Sequence, residues 1–164
     1  MTYIIVVKYM ITISVCMIVK DEEMVLERAL KSVERIADEI IIVDTGSTDR
    51  TKKIALKYTD KVYDFVWCDD FAKARNYSFS KATMDYCMWL DADDIISDSD
   101  QEGLINLKKT LSKDTSVVMM KYNTEFDQNN KPTFTYYRER LLRRKDNFYW
   151  VMVSMLPMQA TNYY

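Results

Sequence analysis

The sequence predicts an α/β fold in which a mostly parallel sheet carries helices on its flanks. Three observations lead there. Short, strongly apolar runs recur at residues 11–19, 39–43 and 86–90. Each run stops abruptly at charged residues. Between them lie stretches with apolar residues at helical spacing, so strand and helix alternate as right-handed crossovers between parallel strands require.

Residues 11–19, ITISVCMIV, form a β-prone run that ends at Lys20-Asp21-Glu22. Asp21, Glu22 and Glu23 suit the first turn of a helix, and Met24, Val25, Ala29, Leu30, Val33 and Ile36 then recur with helical period. Residues 39–43, EIIIV, read as a second buried strand, closed by Asp44 and the turn Thr45-Gly46-Ser47-Thr48-Asp49. A helix over 50–58, a strand over 61–66 and a helix within 69–82 follow. The run Tyr86-Cys87-Met88-Trp89-Leu90, bounded at once by Asp91, Asp93 and Asp94, reads as a strand buried on both faces. An amphipathic helix over 99–111 and a strand over 116–122 complete the series. After the turn signal Asn129-Asn130-Lys131-Pro132 the texture changes. Residues 134–144, FTYYRERLLRR, alternate aromatic or apolar side chains with Arg, as in a strand with one wet face.

At 164 residues, 48% hydrophobic and 29% charged, the chain can build one globular domain with a real core. Residues 1–9 read as an extension upstream of that core. A net charge of −2 argues against nucleic acid or an anionic membrane as the main partner. No run reaches the roughly 18 apolar residues of a transmembrane segment. Cys16, Cys68 and Cys87 are odd in number and widely spaced, and two sit in apolar runs, which fits reduced, buried thiols in a cytosolic protein. The chain contains no His, which excludes Ser-His-Asp and Cys-His catalysis and any His-ligated metal.

In a parallel sheet the acidic strand ends share one edge, so Lys20 to Glu22, Asp44 with its turn, and Asp91 to Asp94 can converge on one crevice. Asp91 and Asp93, one residue apart on a turn, suit a hard divalent cation held together with nucleotide phosphates. The competing reading makes Asp93 and Asp94 caps of the next helix. Arg75 can fork onto a diphosphate or simply be exposed, and Trp67 and Trp89 are expected in the core. Other motifs fail on context. Asp44-Thr45-Gly46-Ser47 spells an aspartic-protease signature, but it leads into a helical pattern. The spacing of Asp91, Asp93, Ser99 and Glu102 matches an EF-hand loop that has Ile96 in place of its required glycine. Asp91-Ala92-Asp93 lacks the Thr or Val expected after an Asp nucleophile of phosphatases.

With these residues assembled, the chain resembles the family-two glycosyltransferases of the GT-A, Rossmann-like fold, in their bacterial branch. The resemblance rests on ISVCMIVKDEE (13–23), IIIVDTGSTDRT (40–51), DDFAKARNYS (69–78) and WLDADD (89–94), in register over about residues 11–122. It implies metal-dependent, inverting transfer of a sugar from a nucleotide-sugar donor, commonly a UDP-sugar, to a saccharide, lipid or protein acceptor. Val19 and Glu22 would lie by the nucleotide, Asp44 on the base, and Arg75 and Asn76 on base or diphosphate. Asp91 would face the ribose or a metal water, and Asp93 would bind Mn2+ or Mg2+. The resemblance also implies a cytoplasmic enzyme of cell-envelope biosynthesis, peripheral at the inner face of the membrane. Residues 123–164 would form a partial acceptor-side region of the same domain. They lack the family's Gly-x-Val-His-Glu segment, and the last acid is Asp146. The expectation is therefore a chain cut short near Met152 whose general base is missing. Rival readings are a non-catalytic nucleotide-sugar-binding remnant, or a partner domain forming a homo-oligomer through apolar residues 148–158.

Overall fold

The computed structural model describes residues 9–129 and 131–151. Four strands follow the predicted order: β1 (Ile13–Val19), β2 (Glu39–Asp44), β3 (Val62–Asp64) and β4 (Tyr86–Trp89). The β-branched and aromatic side chains of β1, β2 and β4 fit a pleated surface buried on both faces, whereas edge strand β3 is only partly buried. β1 pairs in parallel with β2, from Ser14 opposite Glu39 to Val19 opposite Asp44, and on its other edge with β4. β3 adds to β2 in parallel.

The last two strands, β5 (Val117–Phe126) and β6 (Pro132–Arg143), form an antiparallel hairpin. β6 enters the sheet between β4 and β5, giving the order β3-β2-β1-β4-β6-β5. The wet face expected for residues 134–144 therefore holds only for the first half of β6, which projects with β5 as an exposed ribbon. Glu139, Arg140, Leu141 and Leu142 are buried, because there β6 is flanked on both edges.

The helices are α1 (Leu26–Val33), α2 (Thr51–Ala55), α3 (Phe71–Ser80) and α4 (Asp98–Thr110). Leu26, Ala29, Leu30 and Val33 of α1 and Leu104 of α4 join Ile13, Val15, Met17 and Val19 in the main core. α3 covers the opposite face, where Cys16, Ile41, Ala82 and Cys87 pack with Phe79 and Tyr63. Three boundaries move. α1 starts at Leu26, not in the acidic run, because Asp21 takes a left-handed conformation (φ 54°) and the backbone amides of residues 21–23 bond to side chains of the next loop. α4 is capped by Ser97, whose hydroxyl accepts from Asp100 N at 3.2 Å, so neither Asp93 nor Asp94 is its cap. β3 ends at Asp64, since it lies at the sheet edge and the chain then leaves the sheet for solvent, with Val66 89% exposed.

Of the basic residues between 138 and 145, three bond to the rest of the fold. Arg140 pairs with Asp94, Arg143 with Asp146, and Arg144 donates to the Met84 carbonyl. Of the stretch 148–158 only 148–151 falls within the described residues. There Trp150 packs edge-on against Trp89 with centroids 5.5 Å apart, whereas Tyr149 and Val151 are exposed.

Glu39 enters the sheet buried at its charged end. Burial pushes its carboxyl up, but bonds from Lys61, Ser14 and Thr83 outweigh this and lower its pKa to about 2. A depressed folded-state value contributes stability above the unfolded value of about 4.3, which is lost as pH falls through the folded one. Unfolding free energy measured in urea should thus drop between about pH 5 and pH 2, with Glu39 responsible for on the order of 3 kcal/mol. Glu39→Gln should flatten that slope. An unchanged slope would assign the loss to other carboxylates.

Candidate functional site

The strand order reverses direction around β1, whose successors run outward through β2 and β3 while β4 lies on its other side. In open α/β sheets the crevice at the carboxyl ends of such strands is where ligands bind. A cleft of about 560 Å3 lies there. It is lined from the end of β1 by Ile18, Val19, Lys20 and Glu22, and from the end of β2 by Thr45. Trp67, Phe71 and Arg75 come from the β3–α3 region, and Asp91, Ala92 and Asp93 from the end of β4.

Side chains tie the first two loops together. Asp21 Oδ1 accepts from Thr48 N at 2.7 Å, Thr51 Oγ1 from Glu22 N at 2.6 Å, and Asp49 Oδ2 from Glu23 N at 3.1 Å. Glu23 returns the contact by accepting from the backbone and guanidinium of Arg50, both at 3.0 Å. Gly46, at φ +108°, turns the chain where a Cβ would be strained. Much of the Thr45 to Thr51 motif is therefore a latch that presents Glu22 and Thr45 to the cleft.

Asp44 is buried behind Thr45. Its Oδ1 accepts from Gly46 N and Ser47 N at 2.9 and 2.8 Å, while Oδ2 is buried without a partner among the described residues. A buried carboxylate oxygen left unbonded is costly, and an N–H of a ligand would satisfy it.

Arg75 projects from α3 into the cleft, where its Nη2 donates to Asp91 Oδ1 at 2.6 Å. Asn76, next in sequence, is not brought to this cleft. Its amide donates to the Trp150 carbonyl at 2.8 Å and accepts from Trp150 N at 2.7 Å, and it lines a neighbouring groove. Asp94 is turned away as well, accepting from Arg140 Nη2 at 3.0 Å and the Tyr122 hydroxyl at 2.8 Å. That anchors the Asp91 to Asp94 turn against the β5–β6 hairpin and leaves Asp91 and Asp93 facing the cleft.

The donor set fits a hard cation. Asp91, Asp93 and Glu22 offer only oxygen, and Asp93 is exposed. Burial pushes the Glu22 carboxyl up, and the negative charges of Asp93, Asp49, Asp21 and Asp91 push it further, so the cleft is short of positive charge. No group of three acids among the described residues could alone enclose a metal. An ion of the Mg2+ or Mn2+ kind held by Asp91 and Asp93 would need waters and phosphate oxygens to fill its shell.

Sequence reasoning missed several lining residues and misplaced one. Trp67, expected in the core, lines the cleft with Phe71, ring centroids 4.8 Å apart. Two aromatics on either side of the Asp69-Asp70 helix start were the available signal. Lys20 and Thr45 lay inside motifs already singled out. Trp89 is buried as expected.

A model of the family described as glycosyl transferase family 2 matches residues 14–160. The chain belongs to that family. Family relatives include an uncharacterized glycosyltransferase of Rickettsia typhi, 36% identical over 92 residues, which cover 56% of this chain and 31% of the relative. A TPR repeat-containing protein of Synechococcus elongatus is 47% identical over 85 residues, 52% of this chain and 21% of that protein. The chain spans between about a fifth and a third of the curated relatives it matches. Among solved structures, Staphylococcus aureus TarS (residues 1–349) is 25% identical with a TM-score of 0.49, over 56% of this chain and 30% of that one. Mycobacterium tuberculosis glucosyl-3-phosphoglycerate synthase in complex with Mn2+ and UDP-glucose is 26% identical with a TM-score of 0.46, over 52% and 34%. No helix among the described residues is long and apolar enough to cross a membrane.

Proposed function

We propose that the cleft binds a nucleotide-diphosphate sugar, with a UDP-sugar as the expected donor, together with Mn2+ or Mg2+. The protein to which this domain belongs then transfers the sugar, with inversion, to a hydroxyl of a saccharide, lipid or protein. One observation carries the reading. A single guanidinium and the carboxylates of Glu22, Asp91 and Asp93 line one cleft at the β1–β4 edge, a charge pattern suited to a diphosphate and its cation. Family membership supports the same chemistry.

In this scheme the Trp67–Phe71 pair offers the base an aromatic face in the cleft, and the unpartnered Asp44 oxygen, which does not itself line the cleft, accepts an N–H of the base. Arg75 forks onto the diphosphate, which its planar donors fit better than Lys would. Asp93 and Asp91 would hold the cation, which when bound neutralises the charge that develops on the departing nucleotide diphosphate. All three cysteines are free thiols, Cys16 and Cys87 buried as expected but Cys68 exposed outside the apolar runs, and free thiols suit a cytoplasmic placement.

Titration calorimetry with UDP, with and without Mn2+, tests the donor site: binding is expected only, or far more tightly, with the metal. Absence of binding under both conditions would overturn the reading. A binding-only protein is the second reading. In it Glu22, Asp91 and Asp93 serve only the nucleotide and its cation, and no lining group acts as base. Release of free sugar from a panel of UDP-sugars, or its transfer, separates the two.

A further inference from the structure

Arg75 already has a partner. Its Nη2 holds Asp91 Oδ1 at 2.6 Å, and its Cζ sits 4.8 Å from the Trp89 ring centroid and 4.7 Å from that of Trp150. Trp150 is held in turn by both hydrogen bonds of the Asn76 amide. The guanidinium is therefore walled by two indoles and only 18% exposed, where water and salt screen an ion pair less than at the open surface. The carboxylate it occupies is one that a cation would need.

We propose that Arg75 is a placeholder for the divalent cation: it holds Asp91 in the free protein, and the metal site opens when a nucleotide diphosphate draws Arg75 away. The proposal rests on the nucleotide-sugar reading of the cleft. A metal bound to a carboxylate oxygen sits roughly 2.1 Å from it. With the guanidinium on that same oxygen, two positive charges would be forced within about 4 Å of each other in a partly dry site. A diphosphate resolves the conflict. Its oxygens match the guanidinium fork, so Arg75 exchanges one anion for another and both Asp91 oxygens become free. Nucleotide and metal then strengthen one another by the same factor. The two indoles attract the guanidinium whichever anion it holds, so it needs only a short movement to make the exchange.

A metal bridging a diphosphate couples the two ligands in any such site, so coupling alone would not distinguish this mechanism. Metal binding without nucleotide does. Mn2+ alone is titrated, with free ion followed by its EPR signal, into the wild type, Arg75→Met and Lys20→Met. Lys20 lines the same cleft and controls for the mere loss of a positive charge. Arg75→Met should bind Mn2+ at least about 10-fold more tightly than wild type, and Lys20→Met no more than about 3-fold more tightly. Equal affinity of Arg75→Met and wild type, or equal gains in both variants, overturns the proposal.

A second measurement avoids altering Arg75. The chain has three tryptophans, so in a Trp67→Phe protein only Trp89 and Trp150 report. Saturating UDP and Mg2+ should change their emission as Arg75 shifts between them. Unchanged emission while calorimetry registers binding overturns the proposal and leaves the donor site intact. Failure of the wild type to bind UDP and Mn2+ together would instead remove the donor reading itself.

Discussion

Asp93→Ala is expected to weaken Mn2+-dependent UDP binding by about 100-fold or more, roughly 3 kcal/mol, without unfolding the domain. The two halves of this expectation have separate physical grounds. Asp93 is exposed on a turn held by its neighbours, with Asp94 tied to Arg140 and Tyr122. Its loss leaves those bonds intact, so the melting temperature should move by no more than about 2 °C, as for most surface substitutions. The binding loss is large because a cation with few protein ligands cannot replace one cheaply. Calorimetry with UDP and Mn2+ reads the first half and a thermal melt reads the second. Unchanged affinity would move the cation away from Asp93.

Arg140→Ala should be the most destabilising single change near the cleft, costing about 3–5 kcal/mol. Its side chain is 5% exposed, and Nη1 donates to the Trp89 carbonyl at 3.1 Å while Nη2 pairs with Asp94 at 3.0 Å. The guanidinium also stacks 3.7 Å from the Trp89 ring centroid and 4.5 Å from that of Tyr122. Truncation would strand a carboxylate that is 13% exposed and leave a cavity between two aromatic rings. The same carboxylate matters to Tyr122, whose hydroxyl is pushed above its ordinary pKa first by burial and then by its bond to Asp94. Arg140→Met with Asp94→Asn should recover much of the loss, because it removes both charges together. Urea unfolding measures both proteins. A cost below about 1 kcal/mol for Arg140→Ala would show that water solvates Asp94 in its place.

Sequence alone determined the parts whose cause is local. An apolar run such as residues 86–90 can only be a buried strand or helix segment, and its length and flanking acids decide for strand. Once four such runs alternate with helical patterns, the sheet is parallel and their acidic ends share an edge. That logic put Glu22, Asp91 and Asp93 at one edge, and all three line one cleft; Val19 and Arg75, which line it too, were expected there only from the family resemblance. Tertiary structure decided what depends on distant partners. Nothing local in residues 132–143 says that this strand inserts antiparallel between β4 and β5. Asn76 and Trp150 lie 74 residues apart and meet only because α3 and the segment after β6 flank the same end of the sheet. The acids of 21–23 read as a helix start, yet their amides found Ser47, Thr51 and Asp49 across the next loop. The physical reason is common to all of these. Periodicity reports how deeply a residue is buried, whereas a polar side chain bonds whichever donor or acceptor the fold brings within about 3 Å.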